Sequence, residues 1–133
     1  KGMATISNPL LFVLHVAYLW LPFGYALLAC AVFGWVFTPT AALHALTMGA
    51  IGSMVLAVTT RVALGHTGRP LQAARLTVFA YWLLMLAALV RVLGPLTGKS
   101  NLLMIDLSAT GWMLAFAIFT WVDWPILSRP RAG

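Results

Sequence analysis

From residue 9 onward the apolar side chains fall into four long blocks, separated by short clusters of proline, glycine and hydroxyl residues. Blocks longer than roughly 18 to 20 residues can cross a bilayer as helices. The pattern therefore predicts four spans, at about 9–37, 41–64, 72–93 and 102–124. The first should begin at Pro9 behind a cap from Asn8 or Ser7, with proline where its missing N–H costs nothing. At about 29 residues, or ~43 Å of helical rise, it should tilt or bend, and Pro22 with Gly24 supplies a kink. Thr38-Pro39-Thr40 ends it and caps the next helix. Gly65-His66-Thr67-Gly68-Arg69-Pro70 reads as a loop, as do Gly94-Pro95 and Gly98-Lys99-Ser100-Asn101. The fold class is all-α: one integral-membrane domain over residues 1–133, with four transmembrane helices in an up-down bundle.

In the second span Ala41, Ala45, Gly49, Ser53 and Ala57 recur at every fourth position. In lipid, close packing rather than hydrophobicity holds helices together, so this stripe predicts a tight contact with another helix.

Composition agrees with the pattern. Apolar residues make up 62 % of the chain and charged ones 8 %, against about one-quarter charged in a soluble domain. No Asp, Glu, Lys or Arg lies between Lys1 and Arg61. The net charge of +6 would suggest a nucleic-acid partner for a soluble protein; here it is a topology signal, and no nucleic acid is expected. Lys1, Arg61, Arg69, Arg75, Arg129 and Arg131 fall on one side of a four-span arrangement, and Arg91 and Lys99 on the other. Basic residues collect on cytoplasmic ends, which places both termini in the cytoplasm. Trp121 and Trp124 at the inner end and Trp35 at the outer end fit interfacial belts. The first apolar stretch is too long for a signal-peptide core. Cys30, the single cysteine, has no disulfide or C-x-x-C partner.

Ionisable residues inside a membrane are candidates for function. Folded as a hairpin about residues 38–40, the first two spans pair positions whose numbers add to about 78. His15 then lies near Ala63 and Arg61, while His44 lies level with Gly34, roughly 28 Å away along the membrane normal. They cannot ligate one metal. The inner group is His15, Arg61 and His66, with Thr59 and Thr60 nearby. Imidazole suits a haem axial position and arginine a buried anion such as a propionate. Equally, Arg61 could snorkel to headgroups, His66 could be a plain loop residue, and His15 could bond a neighbouring carbonyl. The outer group is His44 with Met48 one helical turn on, with Cys30 opposite Met48. These donors suit copper(I), although methionine in an apolar helix is usually packing. Gly52, on the His44 face, leaves a flat space that a porphyrin or a helix could fill. Asp106 with Arg91 should reach a common depth and form an ion pair near the outer interface, with a proton relay as the alternative, and Asp123 with Arg75 should pair similarly at the inner end. No Ser-His-Asp spacing, carboxylate dyad, phosphate loop or zinc signature appears, which disfavours hydrolytic and phosphoryl-transfer enzymes.

Three ordered motifs resemble the last third of the NnrS family. They are Pro9-Leu10-Leu11-Phe12-Val13-Leu14-His15-Val16-Ala17-Tyr18-Leu19-Trp20-Leu21-Pro22, then Ala42-Leu43-His44-Ala45-Leu46-Thr47-Met48-Gly49-Ala50-Ile51-Gly52, then Thr60-Arg61-Val62-Ala63-Leu64-Gly65-His66-Thr67-Gly68-Arg69-Pro70-Leu71. The resemblance implies a bacterial inner-membrane protein of about twelve spans that contains haem and copper and helps cells withstand nitric oxide during denitrification. Carried onto this chain, it marks His15, His44, Arg61, His66 and Arg69 as cofactor positions; with Met48 from the donor reading above, His15, His44 and His66 are the candidate metal ligands. Four spans against twelve imply a piece of a longer protein, with a cofactor site shared with further helices or a second copy. Two other readings stand beside it. One is a four-helix haem-binding electron carrier like the membrane cytochromes b, which commonly needs paired histidines at one depth. The other is a metal-free transport or assembly module.

Overall fold

The computed structural model describes residues 8–97 and 101–131. The predicted Ser7 cap and the topology signals at Lys1 and Lys99 lie outside them. Four helices follow one another: α1 (Pro9–Val32), α2 (Pro39–His66), α3 (Arg75–Leu93) and α4 (Asn101–Ser128), with a 3-10 turn at Gly94–Thr97 after α3. Each is long and apolar enough to cross a membrane.

Both proline-led starts are capped as the sequence requires. The Asn8 side chain accepts from the Leu10 N–H at 3.1 Å, and the Thr38 hydroxyl oxygen accepts from the Ala41 N–H at 3.2 Å.

The helix ends depart from the sequence-based boundaries, each for a local reason. α1 stops at Val32, five residues short of position 37. Gly34 adopts φ +73°, the Trp35 N–H bonds the Cys30 carbonyl and the Gly34 N–H bonds that of Ala31, which is a glycine-terminated Schellman motif. Gly68, at φ +70°, ends α2 in the same way: the Arg69 N–H bonds the Leu64 carbonyl and the Gly68 N–H that of Gly65. The helix therefore runs through His66, which sits in its last turn rather than in a loop. α3 begins at Arg75, not 72, because Ala74 is extended (ψ 153°) and Gln72 is held in a turn to Pro70. α4 passes straight through Pro125 to Ser128 rather than ending at 124.

α2 has a feature the sequence pattern did not reveal: residues Ala45–Gly52 form π-helix between two α-helical stretches. This explains how the small-residue stripe works. On a regular α-helix a period of four drifts ~40° per step, so Ala57 would stand ~160° around from Ala41. The wider i→i+5 turns take back that drift, and all five stripe residues are buried. Gly49 receives the Trp20 indole of α1, and the Ser53 hydroxyl donates to Met85 Sδ of α3 at 3.6 Å.

α2 is the central element, packing against α1, α3 and α4, while α3 and α4 pair along their length. α1 buries Leu10, Val13, Ala17, Trp20, Gly24 and Leu27, a 3-4 spacing that forms one seam. α1 and α3 meet through large side chains: Trp20 Nε1 donates to Met85 Sδ at 3.2 Å, and the Phe12 and Trp82 rings lie 6.1 Å apart. Large apolar residues such as Tyr18, Phe79, Leu107 and Trp121 cover the outside. An apolar exterior is what a bilayer or further apolar helices require.

Candidate functional site

The observed contacts reset the depth of each candidate. Gly24 meets Leu46 and Trp20 meets Gly49, so positions paired across the α1–α2 hairpin add to about 70 rather than 78. The cause is the early end of α1, which moves the turn toward residue 35. His15 is therefore level with about Val55, and His44 with about Ala26. The depth between the two histidines becomes eleven residues of α1, or ~17 Å. That is shorter than the sequence-based 28 Å and still far beyond one ligand sphere. Two expected groupings dissolve with the same correction. Cys30 moves level with Thr40 while Met48 lies level with Pro22, and His15 stands about six residues, ~9 Å, deeper than Arg61.

Both membrane histidines are held in one manner. His15 Nδ1 donates to the Leu11 carbonyl at 2.8 Å, and His44 Nδ1 donates to the Thr40 carbonyl at 2.7 Å. A carbonyl only accepts, so the proton of the neutral ring sits on Nδ1 and the Nε2 lone pair is left free. Metal-bound histidines are oriented by the same kind of second bond. His15 is exposed on the outside of α1, and His44 is half-buried.

His44 opens onto a cavity of about 380 Å³ shared by Thr47, Met48, Arg91, Ser108 and Trp112. Three helices supply it. The π segment starts one residue after His44 and contains Met48, and such segments are frequent at functional sites. Arg91 was expected to pair with Asp106; their depths do match, but among the described residues no ion pair within 4.0 Å joins them. Asp106 is exposed, whereas Arg91 lines the cavity. The Trp112 indole fills the space over Gly52, which therefore offers no slot for a porphyrin. Cys30 does not line this cavity.

At the other end Arg61 and His66 share a cleft of about 310 Å³ with Val62, Gly65 and Leu71. His15 is not part of it. Arg69 is committed elsewhere, its Nη1 donating to the Ile126 carbonyl at 3.0 Å.

Among the described residues no three His, Cys, Asp or Glu side chains gather into a metal site. The donors fit a metal only as partial sets: one imidazole at His15, an imidazole with a thioether at His44 and Met48, and one imidazole at His66. A haem at His15 would need its second wall from outside α1.

One buried polar group was not assembled from the sequence, which set Thr60 near the inner histidines and paired Asp123 with Arg75. Thr60, Tyr81 and Asp123, from α2, α3 and α4, are buried at 1 %, 4 % and 2 % exposure. Thr60 lies beside both others. Asp123 was expected to pair with Arg75, yet neither of its oxygens has a hydrogen-bond partner among the described residues, and Arg75 is exposed. The sequence offered a carboxylate, Asp123, inside an apolar helix, and nothing in it joined Thr60 and Tyr81 of other helices to that position.

The NnrS family model, described as NnrS protein, matches residues 1–131, and the chain belongs to that family. No curated protein and no solved structure matches it.

Proposed function

We propose that this chain is the histidine-bearing portion of a haem- and copper-containing protein of the bacterial inner membrane, with cytoplasmic termini, that helps cells withstand nitric oxide during denitrification. Membership of the NnrS family supports the general reading. The observation that carries the finer one is the matched pair of histidines, each with Nδ1 bound to the carbonyl four residues back and Nε2 free, ~17 Å apart in depth. Two imidazoles set for ligation at different depths call for two centres. His44 and Met48 offer nitrogen and sulfur, a donor set that suits copper; His15 offers a lone imidazole of the kind that holds haem iron. Bound there, either metal would supply a site for a small diatomic ligand that partitions into the membrane.

The chain's own residues do the positioning. Thr40 and Leu11 carbonyls orient the rings, the π segment keeps Met48 on the cavity with His44, and Trp112 closes the space over Gly52. His15 is exposed on α1, which is compatible with a second wall supplied by a further helix of the same polypeptide or by a second copy of it. The test is an optical spectrum with metal analysis of the full-length protein purified in detergent. Haem absorption together with stoichiometric copper supports the reading; a protein without either would leave the metal-free transport or assembly reading in its place.

A further inference from the structure

Thr60, Tyr81 and Asp123 pose a problem of donors and acceptors. Each is almost wholly buried, and each comes from a different helix of an apolar bundle. The Thr60 hydroxyl spends its only proton on the Leu56 carbonyl at 2.9 Å, so toward its neighbours it can only accept. An ionised carboxylate also only accepts. Set beside Thr60, it would bring two acceptors together with nothing between them. Tyr81 has one proton and cannot serve both.

Among the described residues Asp123 has no paired cation; Arg69, held against α4 three residues further on, spends its Nη1 on the Ile126 carbonyl. Among the described residues no Lys, Arg or His nitrogen comes within 4.0 Å of its carboxylate. On α2, Arg61 follows Thr60 but opens into the cleft with His66 and Leu71. On α3, Arg75 is exposed, as is Arg129 on α4 itself. α1 contributes no charged side chain at this depth, where Leu10 and Val13 turn into the bundle. A bare buried carboxylate costs several kcal/mol, and in membranes such groups are characteristic of ion and proton pathways.

We propose that Asp123, Thr60 and Tyr81 form a proton-holding site inside the bundle, in which Asp123 carries one exchangeable proton shared with the two hydroxyls. Uptake takes one proton from a hydronium ion, breaking its O–H bond, forming one to a carboxylate oxygen and leaving a water molecule; release is the reverse, with no change of oxidation state. The carboxyl O–H then donates to Thr60, and Tyr81 Oη donates to the second carboxyl oxygen. Every buried polar atom of the group gains a partner. Tyr81 also forms one wall of an otherwise apolar cavity of about 280 Å³ between α1 and α3, beside Pro9, Phe12 and Val13. The site therefore lies next to a cavity without being open to it. This holds whether or not the histidines bind metal.

Asp106 is the only other acidic side chain in these residues, so Asp106→Asn is the control, and difference spectra against the native protein cancel carboxyls elsewhere in the polypeptide. Infrared spectra of the full-length protein in lipid would be taken at neutral pH, in H2O and D2O, for the native protein and for Asp106→Asn, Asp123→Asn and Tyr81→Phe in this segment. The expected result is a protonated-carboxyl C=O band that shifts down in D2O, survives Asp106→Asn, disappears in Asp123→Asn and moves in Tyr81→Phe, which removes one hydrogen bond to it. If Asp123→Asn does not fold, loss of the band in Asp106→Asn alone would overturn the proposal. So would an Asp123-insensitive band, or a band that appears only when sodium is withdrawn, which would make the site a sodium site.

Discussion

The Arg69 guanidinium donates to the Ile126 carbonyl at 3.0 Å, joining the end of α2 to the last turns of α4 across 57 positions of sequence. The bond answers a local deficit. In a continuing α-helix the Ile126 carbonyl would accept from the residue four places on, which is Pro130, with no N–H to give. A cation at a helix C-terminus is favourable in any case.

Arg69→Leu should therefore destabilise the bundle by about 1.5 to 3 kcal/mol, the range for a hydrogen bond to a charged group. Thermal unfolding in detergent would show the loss, with metal content per folded protein unchanged. An unaltered melting curve with diminished haem or copper would instead return Arg69 to the cofactor role its motif implies.

Gly49 lies under the Trp20 indole. Gly49→Leu should overpack the α1–α2 contact at a cost of about 1 to 3 kcal/mol. Ala26→Leu, on the exposed side of α1, should change little. Equal stability of the two variants would mean that the stripe does not seat α1.

Gly68 adopts φ +70° to end α2. Gly68→Ala should cost roughly 1 to 2 kcal/mol, the strain of a left-handed alanine, and should loosen the Arg69 clasp as well. Hydrogen exchange at the Arg69 amide would report both; unchanged protection would count against the Schellman ending.

Depth was legible in the sequence for α3 against α4 but not for α1 against α2, where the early end of α1 shifted the register, and direction around each helix was not legible at all. Asp123 with Arg75, and Asp106 with Arg91, do reach matching depths: Gly111 packs against Ala87, which aligns α3 and α4 in that register. Yet Asp123 turns into the core while Arg75 faces outward, and Asp106 faces outward while Arg91 turns toward His44. A hairpin count fixes height but carries no azimuth. The caps at Asn8 and Thr38 and the small-residue stripe were readable because each is a local rule. The π segment was not, since a wider turn is set by what packs against it; a strict period of four over sixteen residues was its trace.

Topology rests on the basic asymmetry. A reporter fused near Arg69 should behave as cytoplasmic and one near Leu96 as external. A cytoplasmic signal at Leu96 would reverse the orientation and place His44 toward the inner face.

The central claim is that His15 and His44 serve two separate centres, because ~17 Å of depth divides them and each presents a free Nε2. The most direct measurement is the optical and electron paramagnetic resonance spectrum of the full-length protein carrying His15→Ala or His44→Ala, with haem and copper quantified in each. The account predicts that each variant loses a different part of the haem or copper signal and keeps the other. Loss of one and the same signal in both, or of none in either, would contradict it.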